Sequence, residues 1–219
     1  MAFYLWMLLY LGAAAFSAGV GIHFLRSERK TVSKLCLAYL LFLIATWAFF
    51  DFISSIVDST EVSTLILRAQ FTVLSFVPAL FILIPHCMRN ELNKKIIFLF
   101  IIPVVLAGIV LFTGDFAETE YLANGYGYHI NYNIPAVLVW SAIYIASIAA
   151  GFYLFYKIHC GCASNQLKKK INFFCTGCMV ALLAAFCLNI FSMMFYEIPP
   201  IGSIIASVGV GIVALCFKL

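Results

Sequence analysis

Charge is what this chain has least of. Lys, Arg, Asp and Glu together make up 10% of its 219 residues, against 65% apolar residues, whereas a soluble domain carries about 25% charged residues. A water-exposed globular surface is thereby excluded. Proline is also scarce, with 6 in all, so long stretches run without a helix breaker. The apolar stretches do not alternate with polar residues, which excludes the strands of a membrane barrel. Long connecting segments are missing as well. The longest, 114–133, is too short for a second domain, and the expectation is a single transmembrane domain over 1–219.

What is present is apolar sequence in seven runs, at about 2–25, 35–57, 62–85, 96–113, 134–157, 171–196 and 200–217. A hydrocarbon core of about 30 Å needs about 20 residues of helix, and each run comes close to that. Helix satisfies its own backbone hydrogen bonds in lipid, so the expected fold is an all-α integral membrane bundle of seven transmembrane helices. Ala13, Ala14 and Ala15 resemble a signal-peptidase site, but the positively charged leader is missing, and the first run reads as a span.

The few charges are sorted by side. Arg26, Arg29, Lys30 and Lys34 follow the first run; Arg89, Lys94 and Lys95 the third; Lys157, Lys168, Lys169 and Lys170 the fifth; and Lys218 the last. The alternate segments hold Asp58, Glu61, Asp115, Glu118, Glu120 and Glu197, with no Lys or Arg. The positive-inside rule then expects the N-terminus outside and the C-terminus in the cytoplasm of a multi-pass cell-membrane protein. The net charge of +4 calls for no nucleic-acid partner, because the basic residues lie beside an anionic leaflet. The lipid bilayer is the first partner.

Seven of the eight cysteines, Cys36, Cys87, Cys160, Cys162, Cys175, Cys178 and Cys216, fall near expected cytoplasmic helix ends. Cys187 lies within the sixth run, and no external segment holds any, which fits free thiols in a reducing compartment. With His159, the Cys-x-Cys of Cys160 and Cys162 and the Cys-x-x-Cys of Cys175 and Cys178 have spacings that suit zinc or copper(I). The competing reading packs these cysteines as small hydrophobes, and the expectation is no metal and no cofactor. The segment 114–133 is rich in Tyr, Gly and Asn. Its Tyr121, Tyr126, Tyr128, His129 and Tyr132 suit either a ligand lid or interfacial anchoring, with anchoring the preferred role for most of them. His129 is an external pH-sensing candidate.

Twelve of the thirteen basic residues are explained by topology, which leaves Arg68 inside the third run; Asp51 is similarly deep in the second. Both lie about equally far from the turn near Ser59, so an Asp51–Arg68 ion pair is expected, since an unpaired charge near the centre of a span costs about 2.5 to 3.5 kcal/mol. Arg68, Thr72 and Ser75 form a polar stripe at helical spacing, and Trp47 shares a face with Asp51. Ser141, Tyr144, Asn189, Ser192, Ser203 and Ser207 add polar groups from three more helices. Trp47, Asp51, Arg68, Thr72, Ser75, Ser141, Tyr144 and Asn189 are therefore the ligand or switch candidates, around a cavity open to the outside or a solid polar core. Small residues four apart, Ser203, Ser207 and Gly211 in the last run and Ala15 with Gly19 or Ser17 with Gly21 in the first, suit close helix approach. Pro78 and Pro103 should bend their helices.

The seventh run has no internal Lys for a retinal Schiff base, and the receptor motifs Asp-Arg-Tyr and Asn-Pro-x-x-Tyr are lacking. Three segments carry a different likeness: WAFFDF at 47–52, LRAQFTVLSFVPALFIL at 67–83, and the return from Asn189 through PPIGSIIASVGVGIVAL to 215, with Tyr126 and Gly127 before the fifth run. They resemble the seven-helix N-terminal sensor region of prokaryotic histidine kinases, over nearly the whole chain. The resemblance implies a sensor whose last helix continues into a cytoplasmic output domain, a kinase or a cyclic-dinucleotide synthase. The sequence to Leu219 holds no phosphoacceptor-His helix and no nucleotide-binding Gly-rich segment, so the chain itself is expected to be an input module without enzymatic activity. Its expected partners are an unknown small molecule or the bilayer state, a cytoplasmic output domain or partner kinase, and a second copy of the chain. A small transporter is the alternative, against which stands the lack of an internal three-helix repeat.

Overall fold

The computed structural model describes residues 2–27, 31–57, 59–89, 101–113, 116–121, 128–194 and 201–217. Within them lie helices α1 (Ala2–Leu25), α2 (Val32–Ile56), α3 (Thr60–Leu74), α4 (Val77–Met88), α5 (Ile101–Phe112), α6 (Ile134–Gly161), α7 (Asn165–Met194) and α8 (Gly202–Phe217), with strands β1 (Ala117–Tyr121) and β2 (Tyr128–Tyr132) between α5 and α6. Because α3 and α4 are halves of one span, Thr60–Met88, the eight helices make seven spans. Tyr4–Leu25, Val32–Ile56, Thr60–Met88 and Ile134–Gly161 are each long and apolar enough to cross a membrane.

Polar caps set the helix starts. Thr31 accepts from the Lys34 amide at 3.3 Å, Ser59 from Val62 at 3.4 Å, and Asn133 from Ala136 at 3.2 Å, each satisfying an otherwise orphaned first-turn donor. Ser164 does the same for the Leu167 amide at 3.3 Å. Helices therefore outrun the apolar runs. Whereas hydropathy placed the second at 35, α2 begins at 32; α7 begins at 165, taking in Lys168, Lys169 and Lys170; and α6 continues past 157 to Gly161. Hydropathy marks the hydrocarbon, but helical hydrogen bonding ends only where a cap or turn ends it.

The helix expected over 62–85, with a bend at Pro78, is interrupted between Leu74 and Val77. Pro78 has no N–H to offer the Leu74 carbonyl, and its ring crowds that group. Instead the Ser75 amide donates to Phe71 at 3.0 Å and Thr72 at 3.2 Å, the Phe76 amide donates to Val73 at 3.1 Å, and α4 starts afresh with the proline in its first turn. Pro103 falls in the first turn of α5 as described.

Segment 114–133 also departs from expectation, which foresaw turns and no strands. β1 and β2 pair antiparallel, with Ala117 opposite Tyr132 and Tyr121 opposite Tyr128. The hairpin is clipped to α3: the Thr119 amide donates to the Thr64 hydroxyl at 3.1 Å, and the Thr119 hydroxyl donates to the Thr60 carbonyl at 3.0 Å. Phe116 and Ala117, at its base, are fully buried.

Packing runs α1 on α2 and α8, α2 on α3, α4 and α8, α4 on α6, and α7 on α8. Leu37, Leu41, Phe81, Ile84, Leu106, Phe155 and Phe174 fill the centre. The small residues expected at helix contacts are used there. The Ser17 hydroxyl of α1 donates to the Ser207 carbonyl of α8 at 3.4 Å. A Cβ on Gly209 of α8 would come 2.7 Å from Ala181 Cβ of α7, and one on Gly177 would strike Val213 Cγ2. The α7–α8 seam thus depends on two residues without side chains.

Candidate functional site

Asp51 is buried on α2, toward the hairpin end. Its α3 partner is Gln70, whose Nε2 donates to Oδ1 at 2.8 Å. The pair expected from matched depth, Asp51 with Arg68, is replaced by this contact. Two helical positions turn a side chain by about 200°, so the two residues cannot share a face. Gln70 lies in the buried stripe Ser63, Leu67, Gln70 and Leu74, while half-buried Arg68 lies one turn from Thr64 and Thr72.

The Ser203 hydroxyl stands beside Asp51 without closing a hydrogen bond: among the described residues Asp51 Oδ2, Ser203 Oγ and Ser207 Oγ are buried and have no hydrogen-bond partner. Tyr10 of α1 is close enough to feel the Asp51 charge and is itself buried. The Asp51 carboxyl group of α2 is therefore met by an amide from α3 and a hydroxyl from α8, with a phenol from α1 in the vicinity. Gln70 donates; the hydroxyls can donate or accept. Such a junction can change its hydrogen bonding by small helix shifts.

The other expected stripe turns back on its own helix. Thr72 Oγ1 donates to the Arg68 carbonyl and Ser75 Oγ to the Phe71 carbonyl, each at 2.8 Å, a local bond common for hydroxyls in helices. Ser75 nevertheless has a second use at the α3–α4 break. Its oxygen accepts from Trp140 Nε1 of α6 at 3.2 Å, and Trp140 stacks on Tyr144 with centroids 4.8 Å apart. Phe71 is met edge-on by Phe116, Tyr132 and Trp140, at 5.2, 6.1 and 5.3 Å. Burial, and secondarily the charge of Asp51, push the Tyr132 phenol far above its ordinary value, so it stays protonated beneath the hairpin. A contiguous aromatic group thus joins the hairpin to the break in the third span.

Trp47 and Ser141 are half-buried on α2 and α6. Asn189 lies on α7, and Tyr128 and His129 lie on β2, while Tyr126 lies outside the described residues. Cys160 is exposed, Cys162 and Cys175 are half-buried and Cys178 is buried. Among the described residues no three His, Cys, Asp or Glu side chains converge. A thiol pair not singled out from sequence is Cys36 of α2 and Cys87 of α4, their sulfurs 4.0 Å apart. Gln70 and Trp140 were likewise missed as site residues. Gln70 had a signal, as the one polar amide in a buried stripe; Trp140 had none beyond being an aromatic in an apolar helix.

The model of the family described as the N-terminal 7TM region of histidine kinase matches residues 9–219. No curated protein matches the chain.

Proposed function

Because this chain belongs to the family of N-terminal 7TM regions of histidine kinases, and is thereby a signal-input membrane module, we propose that its junction of Asp51, Gln70 and Ser203 is the switch through which a small or membrane-borne molecule alters a cytoplasmic kinase output. In this reading the hairpin end faces outside, the lysine-rich end faces the cytoplasm, and α8 carries the change inward. The observation that supports it most is the asymmetry at Asp51: one oxygen is held by Gln70 at 2.8 Å, while the other has no hydrogen-bond partner among the described residues and Ser203 of α8 stands beside the carboxyl group. Closing that contact would draw α8 toward α2. A ligand acts on such an equilibrium only by binding the two arrangements with different affinity.

The test is a chimera in which residue 219 is joined in frame to the cytoplasmic part of a histidine kinase, assayed in membrane vesicles. Ser203→Ala and Asp51→Asn should each change basal autophosphorylation by at least about fivefold, the low end of typical coupling energies. Unchanged phosphorylation in both variants, at equal membrane levels, would refute the switch.

Orientation is tested separately. A reporter active only in the cytoplasm should work when joined after Leu219 and fail when inserted between Tyr121 and Tyr128. The opposite pattern would invert the topology proposed from the one-sided Lys and Arg residues.

A further inference from the structure

A carboxylate inside a membrane helix costs about 2.5 to 3.5 kcal/mol unless its charge is compensated. The groups that meet the Asp51 carboxyl group are the Gln70 amide, at 2.8 Å from Oδ1, and the Ser203 hydroxyl. Neither carries a positive charge. Asp51 is 9% exposed, and Ser203 and Ser207 are 0% exposed. Among the described residues, Asp51 Oδ2 and both serine Oγ atoms have no hydrogen-bond partner. Buried polar atoms are nearly always satisfied, and one without a protein partner points to a bound water or ion. Ser203 and Ser207 are four positions apart, so they are neighbours on one face of α8, and α8 packs on α2.

The chemistry of these oxygens separates the candidate occupants. Water brings no charge and leaves the carboxylate uncompensated. A proton on Asp51 gives it one O–H, which serves one hydroxyl and leaves the other without a partner. A metal cation compensates the charge and takes lone pairs from several oxygens together. An all-oxygen set selects a hard ion. The other acids of the chain fall at helix ends or in connecting segments, and among the described residues no three His, Cys, Asp or Glu converge. One negative charge balances one monovalent ion.

We propose that Asp51, Ser203 and Ser207 bind one alkali-metal cation between α2 and α8, with the carboxylate neutralising the ion and the two hydroxyls supplying further oxygen ligands. The bound ion draws the α8 hydroxyls toward the α2 carboxylate, so occupancy favours the closed arrangement of these two helices. That regulatory consequence rests on the switch reading; binding itself does not.

The experiment uses the full chain in mixed micelles, with radiolabelled sodium as the probe and N-methylglucamine chloride holding the ionic strength constant. One saturable sodium site per chain is expected. Asp51→Asn, which keeps the shape of the side chain and removes its charge, should abolish it. Ser203→Ala and Ser207→Ala should each weaken it at least about tenfold, as for loss of one contact to a charged group. The serine variants carry the test if Asp51→Asn fails to fold. Displacement of the label by lithium and not by potassium assigns a site for small alkali ions, and equal displacement by potassium assigns an unselective one. Absence of saturable binding would overturn the proposal and leave Asp51 to a proton or to water. So would binding that Asp51→Asn, or both serine variants, leave unchanged. In the chimera, exchanging sodium for N-methylglucamine should alter autophosphorylation at least about fivefold, a response that Asp51→Asn removes. Binding without this response would sink the regulatory role and leave the site; no binding, with the Ser203 and Asp51 effects on the chimera intact, would sink the site and leave the switch.

Discussion

Gln70→Leu should lower stability by about 1–3 kcal/mol, with loss of the folded bundle at correspondingly lower denaturant in mixed micelles. The variant removes the donor at 2.8 Å from Asp51 Oδ1, and the other oxygen already has no bond among the described residues. Leaving a buried neutral group unsatisfied costs about 1–3 kcal/mol, and a charged one more. The double variant Gln70→Leu with Asp51→Leu should recover most of the loss, because replacing both partners by apolar groups is close to neutral. Equal stability of the single and double variants would show that Gln70 does not serve the carboxylate.

Gly177→Leu should part α7 from α8. Even the first added carbon would strike Val213 Cγ2 and come within 3.2 Å of its Cγ1, and the remaining three carbons of leucine would have to displace the helix. Overpacking of this kind costs about 1–3 kcal/mol, occasionally more. The smaller Gly177→Ala separates two opposed effects: better helix propensity contributes about 1 kcal/mol, and the clash removes more. Net loss is expected for the single change, with recovery in Gly177→Ala, Val213→Ala. Measurement is by the same micelle titration, and a neutral or stabilised Gly177→Ala would mean that the two helices do not approach closely there.

The spans Tyr4–Leu25, Val32–Ile56, Thr60–Met88 and Ile134–Gly161 were legible because each is a long apolar run, and the interruption at Pro78 was legible because proline removes a donor and fills space. The ends were less so. Capping by Thr31 and Ser164 carries α2 and α7 beyond the apolar runs, and hydropathy does not register a cap. The hairpin was hidden because its strands are five residues each in a segment whose Tyr, Gly and Asn content reads as turn. At the site, depth along the helix drew attention to Asp51 and Arg68. Azimuth was the missing coordinate: the buried stripe Ser63, Leu67, Gln70 and Leu74 turns Gln70, not Arg68, toward α2. The hydroxyls of Thr72 and Ser75 show a second limit, since a polar side chain can spend its hydrogen bond on its own backbone and leave nothing for a partner helix.

The interruption at Ser75 has a mechanical corollary. A continuous helix is a stiff rod that carries torque from one face of the bilayer to the other, so a rotation imposed at one end arrives at the far end. Two rods joined at a corner transmit bending through the joint but dissipate twist there. The third span, with α3 ending at Leu74 and α4 beginning at Val77, stands between the two: Ser75 and Phe76 keep right-handed helical backbone, but the hydrogen bond that Pro78 cannot give is missing from the joint. The Thr64–Thr119 clip ties the hairpin to the half of this span that precedes the joint.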